Sequence, residues 1–156
     1  MPRFIFRLQG VLRQRRQIER QKQRDLAIAQ AQQQQMEQEL RNVNDAMKTA
    51  TEQLRRDHLS GPIDVTYLTA HRRFIVAMQR KGQSLVQRIA QQQRVTDAAR
   101  LALVEAAKQR KAIEKLRERR WEQWLADQNR RETIELDEIS QQMAVAEQLE
   151  RSESGV

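Results

Sequence analysis

The chain has 156 residues and a formal net charge of +8, with 32% charged residues, 4% aromatic residues and no cysteine. The lack of cysteine excludes disulfides and thiolate zinc sites, and no apolar run reaches the ~20 residues that a membrane-spanning helix needs. Because it has only four glycines and two prolines, its composition is typical of long helices or coiled coils rather than of a compact globular core.

Charge is unevenly distributed along the chain. Residues 1–24 carry eight Lys or Arg against one Glu, whereas residues 132–156 carry seven acidic residues against one Arg. Segments of opposite charge attract different partners, so we expect the two ends of the chain to have different surroundings. The basic start lacks the uninterrupted apolar stretch of a secretory signal peptide, and a cytoplasmic location is expected.

The first predicted element is a helix from about Phe4 to His58. Apolar and small residues recur in it at alternating steps of three and four, which is the seam of a coiled coil. The same spacing extends back to Leu8 and Leu12 but crosses Arg15, so the seam is weaker near the N-terminus. Its positions closer to the turn are Leu26, Ala29, Gln33, Met36, Leu40, Val43, Met47, Ala50 and Leu54.

The strongest stop signal in the chain is Ser60-Gly61-Pro62. A proline inside a helix costs ~3 kcal/mol and a glycine ~1 kcal/mol, so this pair ends the first helix. We predict a turn over residues 59–63 and an antiparallel hairpin in which the numbers of opposing residues sum to about 122. Asp64, which follows the turn, is the expected N-cap of the second helix.

The second predicted helix runs from about Asp64 to Glu150, and residues 151–156 are expected to fray. Its seam slips after Ile113, which indicates a stutter or a change of packing partner, and a new register begins at Leu136. Before the slip, the seam positions are Leu68, His71, Ile75, Met78, Gly82, Leu85, Ile89, Gln92, Thr96, Ala99, Leu103, Ala106, Arg110 and Ile113.

The two predicted helices have unequal lengths, roughly 55 and roughly 85 residues, so pairing about Gly61 leaves the chain from about Trp121 onward without a partner. The unpaired segment carries apolar residues at helical spacing, and an exposed apolar stripe marks a binding surface. Trp121 and Trp124 lie on one helix face. Two compatible interpretations remain open for them: packing against the aromatic start of the chain around Phe4, or anchoring a partner.

No motif in the sequence indicates catalysis, a cofactor or a metal site. There is no Gly-rich phosphate loop and no nucleophile elbow, and His58 and His71 flank the turn without the spacing of metal ligands. The carboxylates of Glu132 to Glu138 are expected on a solvated helix face, where they make poor acid–base catalysts. We therefore predict a protein without enzymatic activity.

The basic cluster from Arg13 to Arg24 would attract nucleic acid through counterion release. However, charged residues surround most of the helix and no aromatic residues interleave with them for base stacking. A contact with an acidic protein is favoured. A nucleic-acid-binding hairpin and a generic oligomerising coiled coil are the alternatives.

The start of the chain, residues 4–13, reads FIFRLQGVLR, and the small predicted turn is followed by Tyr67 and Phe74. Both features resemble FliJ proteins of the bacterial flagellar export apparatus. Residues 119–124 (RRWEQW) and Arg130-Arg131-Glu132 resemble the late aromatic and basic segment. Leu136-Asp137-Glu138-Ile139 is the most specific piece. Injectisome stalk proteins are the near neighbour of this family.

The resemblance implies an all-α, antiparallel coiled-coil hairpin, similar to the two-helix axle of a rotary ATPase. It implies a stalk that contacts the hexameric FliI-like export ATPase, the FlhA-like export gate and export chaperones. A location at the inner face of the cell membrane, held there by partners, and a monomeric state of the isolated chain are also expected. No cofactor and no nucleic acid are implied.

The resemblance also implies which residues meet each partner. Those facing the ATPase ring would be Phe4, Phe6, Leu8, Trp121, Trp124, Leu136, Asp137, Glu138 and Ile139. Those facing the export gate would be Met47, Leu54, Phe74, Met78 and Leu85.

Overall fold

The computed structural model describes residues 3–58, 61–62 and 64–153, and within this part of the chain all regular secondary structure is helical. Helix α1 spans Gln9–His58 and helix α2 spans Val65–Glu153. The two helices pack against each other, which confirms the predicted all-α hairpin. Neither helix, over its described residues, combines the length and the hydropathy that crossing a membrane requires.

The helices contribute to two compact units. Unit 1 consists of Met1–Arg15 and Gln109–Val156, and unit 2 consists of Arg16–Lys108. Each unit contains a part of α1 and a part of α2. The turn region belongs to unit 2, and both chain termini belong to unit 1.

The core of unit 2 follows the predicted coiled-coil seam. Ala29 and Val43 on α1 are buried, and so are Leu85, Thr96 and Ala106 on α2. All five stand at positions of the three-and-four spacing, so the apolar periodicity alone identified the packed face of both helices. The buried hydroxyl of Thr96 donates to the main-chain oxygen of Gln92 at 3.1 Å, which satisfies it within its own helix.

The pairing of α1 with α2 in unit 2 follows the predicted register. Gly82 lies opposite Leu40, because a Cβ atom built on this glycine would stand 3.9 Å from Leu40 Cδ1. Further along, the side-chain amide of Gln92 donates to the main-chain oxygen of Ala29 at 3.1 Å. Close approach at a glycine and a polar contact between the helices therefore both fix the antiparallel alignment.

Helix α2 begins at the predicted cap. The backbone N–H groups of Thr66 and Tyr67 donate to Oδ1 of Asp64 at 2.9 and 3.3 Å, and the N–H of Leu68 donates to the Asp64 carbonyl at 3.1 Å. Asp64 is thus the N-cap that the sequence predicted. Gly61 and Pro62 of the predicted turn are not helical, and Ser60 lies outside the described residues.

The start of α1 differs from the prediction. The helix begins at Gln9 rather than at Phe4, and the Gln9 N–H donates to the Phe6 carbonyl at 3.0 Å where the helix starts. Before it, Phe6 is buried and Phe4 is half-buried, whereas Ile5 between them is 81% exposed. This alternation is that of a non-helical chain with a side-chain period of two, because helical residues two apart point in divergent directions.

The seam of α2 slips after Ile113, as the sequence predicted. Ala106, Arg110 and Ile113 keep the three-and-four spacing and Leu116 follows three residues later, but the next side chains that are not exposed are those of Trp124 and Gln128. The step of eight residues from Leu116 to Trp124 breaks the three-and-four alternation, as a stutter or a change of packing partner does. The slip lies in unit 1, where the non-helical start of the chain packs on α2.

Candidate interaction surfaces

An aromatic cluster forms the most distinctive packing in unit 1. The ring of Phe4 lies edge-on to Trp121, with 5.3 Å between ring centroids, and tilted to Trp124 at 6.0 Å. The two indoles stack at 5.1 Å with an interplanar angle of 27°. Each pair has the distance and orientation that favour aromatic attraction. The interpretation that the tryptophans pack against the aromatic start of the chain is therefore confirmed.

The position of Phe4 also corrects the predicted register at this end. A helical start would place Phe4 near residue 118, but it contacts Trp121 and Trp124. A non-helical, extended segment advances about 3.3 Å per residue against 1.5 Å in a helix, so the chain start reaches further along α2. The prediction that residues from Trp121 onward have no partner in the chain was wrong for the two tryptophans.

Polar contacts adjoin the aromatic cluster in unit 1. The guanidinium of Arg15 donates to Oε1 of Gln109 at 2.6 Å, which joins α1 to α2. Arg110, a predicted seam position, pairs with Glu114 one turn later on α2, and both side chains are partly buried. A partly buried arginine in a seam is tolerated because its charge has this partner.

Beyond Gln128 every residue of α2 whose side chain is described is exposed, from Asn129 to Arg151. Leu136 and Ile139 are 63% and 53% exposed, and they share one face of the helix with Met143, which is also exposed. We call these three residues the terminal stripe. Asp137 and Glu138 are exposed as well, but the 100° rotation per residue places both on the other side of the helix from the stripe. The ring-facing residues implied by the resemblance thus form two groups. One lies where the chain start packs on α2 and contains Phe4, Phe6, Leu8, Trp121 and Trp124, and the other is the exposed segment from Leu136 to Ile139.

The gate-facing residues implied by the resemblance all lie in unit 2, but they are not equally accessible. Leu85 is 2% exposed and belongs to the core, so a partner cannot touch it in this conformation. Met47, Leu54 and Met78 are half-buried, and Phe74 is 38% exposed. Of the five, Phe74 offers the most surface to a partner.

Phe74 borders a shallow groove between α1 and α2 in unit 2, with a volume of about 330 Å³. Its lining combines apolar and polar side chains from both helices: Ala50, Gln53, Tyr67, Ala70, His71 and Phe74. The Nε2 atom of His71 is buried and has no hydrogen-bond partner among the described residues. The groove, defined here as the turn-side groove, therefore presents an apolar surface next to one unsatisfied polar atom.

Sequence reasoning missed most of this groove. It assigned Ala50 and His71 to the seam and gave no role to Gln53 or Ala70. The signal that would have found it is the spacing of Tyr67, His71 and Phe74, which are four and three residues apart and so share a face of α2. An aromatic pair flanking a histidine on such a face indicates a surface that is only partly covered.

Metal binding finds no support in the described residues, where no group of three or more His, Cys, Asp or Glu is placed to hold an ion. The side chain of His58 lies outside the described part of the structure. The grooves on the described surface are shallow. Two are lined by α2 alone, and the turn-side groove is lined by both helices. This geometry suits contact with other proteins better than enclosure of a small molecule.

The fold defines a coiled-coil hairpin protein with exposed apolar residues on its helix faces. A family model described as "Flagellar FliJ protein" matches residues 4–149 of the chain. The chain therefore belongs to the FliJ family, as its sequence motifs suggested, and its role is related to flagellar protein export. No curated protein and no solved structure matches the chain.

Proposed function

We propose that the chain is a non-enzymatic stalk of the flagellar export apparatus, in which unit 1 enters the hexameric export ATPase and unit 2 meets the export gate. The observation that carries the proposal is the separation of the two residue sets. All nine residues assigned to the ATPase lie in unit 1, and all five assigned to the gate lie in unit 2. A coupling protein needs distinct contact regions for its two partners.

The ATPase contact is supported by the exposed apolar side chains of the terminal stripe. Leu136, Ile139 and Met143 lose contact with water only if another molecule covers them, and apolar burial is the main driving force of protein association. The carboxylates of Asp137 and Glu138, on the other side of the same helical turn, add selectivity for a basic surface of the ring. The aromatic cluster of Phe4, Trp121 and Trp124 has a different task. It holds the chain start against α2 so that unit 1 enters the ring as one body.

The gate contact is supported by the turn-side groove. Phe74 supplies an exposed aromatic edge to this groove, and Met47, Leu54 and Met78 elsewhere in unit 2 are half-buried. Aromatic and methionine side chains are enriched in the centres of protein interfaces. Leu85 contributes to this contact only by holding the two helices together.

The remaining features of the proposal follow from these contacts. The chain is monomeric alone, cytoplasmic, and held at the inner face of the membrane through the ATPase and the gate. The basic cluster of residues 13–24 tunes attraction to acidic surfaces, including those of export chaperones. No catalytic residue, cofactor or nucleic acid takes part.

The test is stimulation of the export ATPase by the chain. Deletion of the residues from 132 onward should abolish stimulation while helical content per residue is retained, because the packed parts of both units are untouched. A sharper test is the pair Leu136→Ser and Ile139→Ser, which should weaken binding to the ATPase at least about tenfold.

A matched control uses the opposite face of the same helix segment. Ile134 and Val145 are 57% and 55% exposed, close to the values of the stripe residues, but they point away from the terminal stripe. Ile134→Ser with Val145→Ser should leave stimulation intact. Equal loss in both pairs, or full stimulation by the truncated chain, would contradict the proposal.

A further inference from the structure

A second basic region of the chain lies on α2, away from the N-terminal cluster. Residues 65–96 contain six Lys or Arg and not one Asp or Glu. Three of these residues, Arg72, Arg73 and Arg80, are exposed and have no ion-pair partner among the described residues. Arg56 on α1, by contrast, pairs with Glu52 one turn away. The guanidinium groups on this stretch are therefore available to a partner.

These arginines surround a shallow groove on unit 2 with a volume of about 380 Å³. Successive residues of a helix are rotated by about 100°, which puts Val76 and Arg80 on the side of α2 opposite the seam residue Gly82. Val76 is 38% exposed and forms an apolar floor between the charges. We define the arginine face by the residues that line this groove: Thr69, Arg72, Arg73, Val76, Ala77 and Arg80.

We propose that the arginine face docks an acidic amphipathic helix of another protein. Guanidinium groups form bidentate hydrogen bonds with carboxylates, and arginine is enriched where such contacts determine binding. The face extends over about three turns of α2, from Thr69 to Arg80, which matches carboxylates spaced three and four residues apart on a helix. The apolar floor at Val76 and Ala77 accepts one or two apolar side chains from the same partner helix.

The residues that line the arginine face fit an acidic helix better than nucleic acid or an anionic membrane surface. Single-stranded nucleic acid is bound by aromatic side chains that stack on bases, and the arginine face has none. Helices that bind at a membrane surface insert bulky apolar residues, whereas this face has only Val76 and Ala77. Carboxylates combined with small apolar groups are the chemistry that this surface fits.

The arginine face is distinct from the turn-side groove. Val76 and Arg80 point away from α1, whereas Tyr67, His71 and Phe74 line the groove between the helices. The proposal therefore does not depend on the gate contact or on the ATPase contact.

The experiment measures binding of the full chain to a synthetic, fluorescently labelled helical peptide with glutamates at i, i+4 and i+7 and leucine and alanine between them. A peptide of the same composition in scrambled order tests whether charge alone suffices. The triple variant Arg72→Gln, Arg73→Gln and Arg80→Gln should weaken binding at least about tenfold, and Val76→Ser about threefold. Glutamine keeps helix propensity, so circular dichroism should be unchanged.

The matched control removes three exposed arginines from unit 1, by Arg119→Gln, Arg120→Gln and Arg130→Gln, and should change affinity less than about twofold. Equal loss in the two triple variants, or equal binding of the scrambled peptide, would overturn the proposal. Tighter binding of a short DNA duplex or of anionic phospholipid vesicles, sensitive to the arginine-face variant, would also overturn it. Self-association of the chain that this variant abolishes would assign the face to a second copy and overturn it as well.

Discussion

The side-chain amide of Gln92 on α2 donates a hydrogen bond to the main-chain carbonyl of Ala29 on α1, with 3.1 Å between the two atoms. The same nitrogen lies 3.3 Å from Oε1 of Gln32. One turn of helix thus offers a carbonyl and an amide to a single glutamine on the facing helix. A polar residue in a seam specifies the alignment of two helices, because a shifted pairing would leave it unsatisfied.

Replacement of Gln92 should weaken unit 2 through this contact. Gln92→Ala removes the hydrogen bond and leaves the Ala29 carbonyl with its intrahelical donor only, so we expect a loss of about 1 kcal/mol in the free energy of unfolding. Thermal denaturation followed by circular dichroism measures the shift. Gln91, its exposed neighbour, is the control, and Gln91→Ala should change the midpoint little. Equal shifts in both variants would show that the contact between helices contributes nothing.

Gly82 is a site where a larger side chain should stabilise the protein. A Cβ atom at this position would meet Leu40 Cδ1 and Val43 Cγ1 at 3.9 Å, which is ordinary van der Waals contact. The glycine has no positive φ, so alanine fits its helical backbone. Gly82→Ala should raise stability by about 1 kcal/mol, since alanine has the higher helix propensity.

A second substitution at Gly82 tests how large a side chain fits between the two helices. Gly82→Leu should lower the unfolding midpoint, because a leucine side chain would displace Leu40 and Val43 from the seam. A lower midpoint for Gly82→Ala than for the unmodified chain would contradict the close but unstrained packing seen here.

The N-cap residue of α2 is expected to make its own contribution to the free energy of unfolding. Asp64→Ala removes the acceptor of the Thr66 and Tyr67 N–H groups and should cost about 1 kcal/mol. Asp64→Asn retains an oxygen acceptor and should cost less than half as much. Chemical denaturation of both variants separates the cap from the effect of losing a negative charge. If Asn proves as costly as Ala, the hydrogen bonds are not the source of the stability.

The sequence predicted the packing of the two helices well because packing there is periodic. Buried Ala29, Val43, Leu85 and Ala106 all stand at three-and-four positions, and a heptad pattern has few ways to bury its apolar residues. Asp64 was predictable for a similar reason, since it combines a cap residue type with the position just after the Gly-Pro stop. These features depend on residues close in sequence.

The features that were missed depend on contacts over long sequence separation. Helical propensity gave no sign that the chain before Gln9 would leave the helix, because Phe4 packs there on two tryptophans of α2 that are distant in sequence. The sequence also did not predict that Leu85 is buried and closed to a partner, since leucine is common both in cores and in interfaces. Likewise, the turn-side groove could not be predicted without knowing how far α1 covers Tyr67 and His71.

The aromatic cluster offers the clearest probe of unit 1, because Trp121 and Trp124 are the two tryptophans of the chain. Phe4→Ala removes the ring that contacts both indoles, so their emission should shift to longer wavelength as water reaches them. The loss of aromatic contact and buried area should cost about 1–3 kcal/mol in unit 1. Far-ultraviolet circular dichroism should change little, since Phe4 is not in a helix.

Ile5→Ala is the control, because Ile5 is 81% exposed and its removal should leave emission unchanged. Identical spectra for the two variants would mean that the chain start does not pack on α2 in solution, and the stiffening role proposed for the cluster would fail with it.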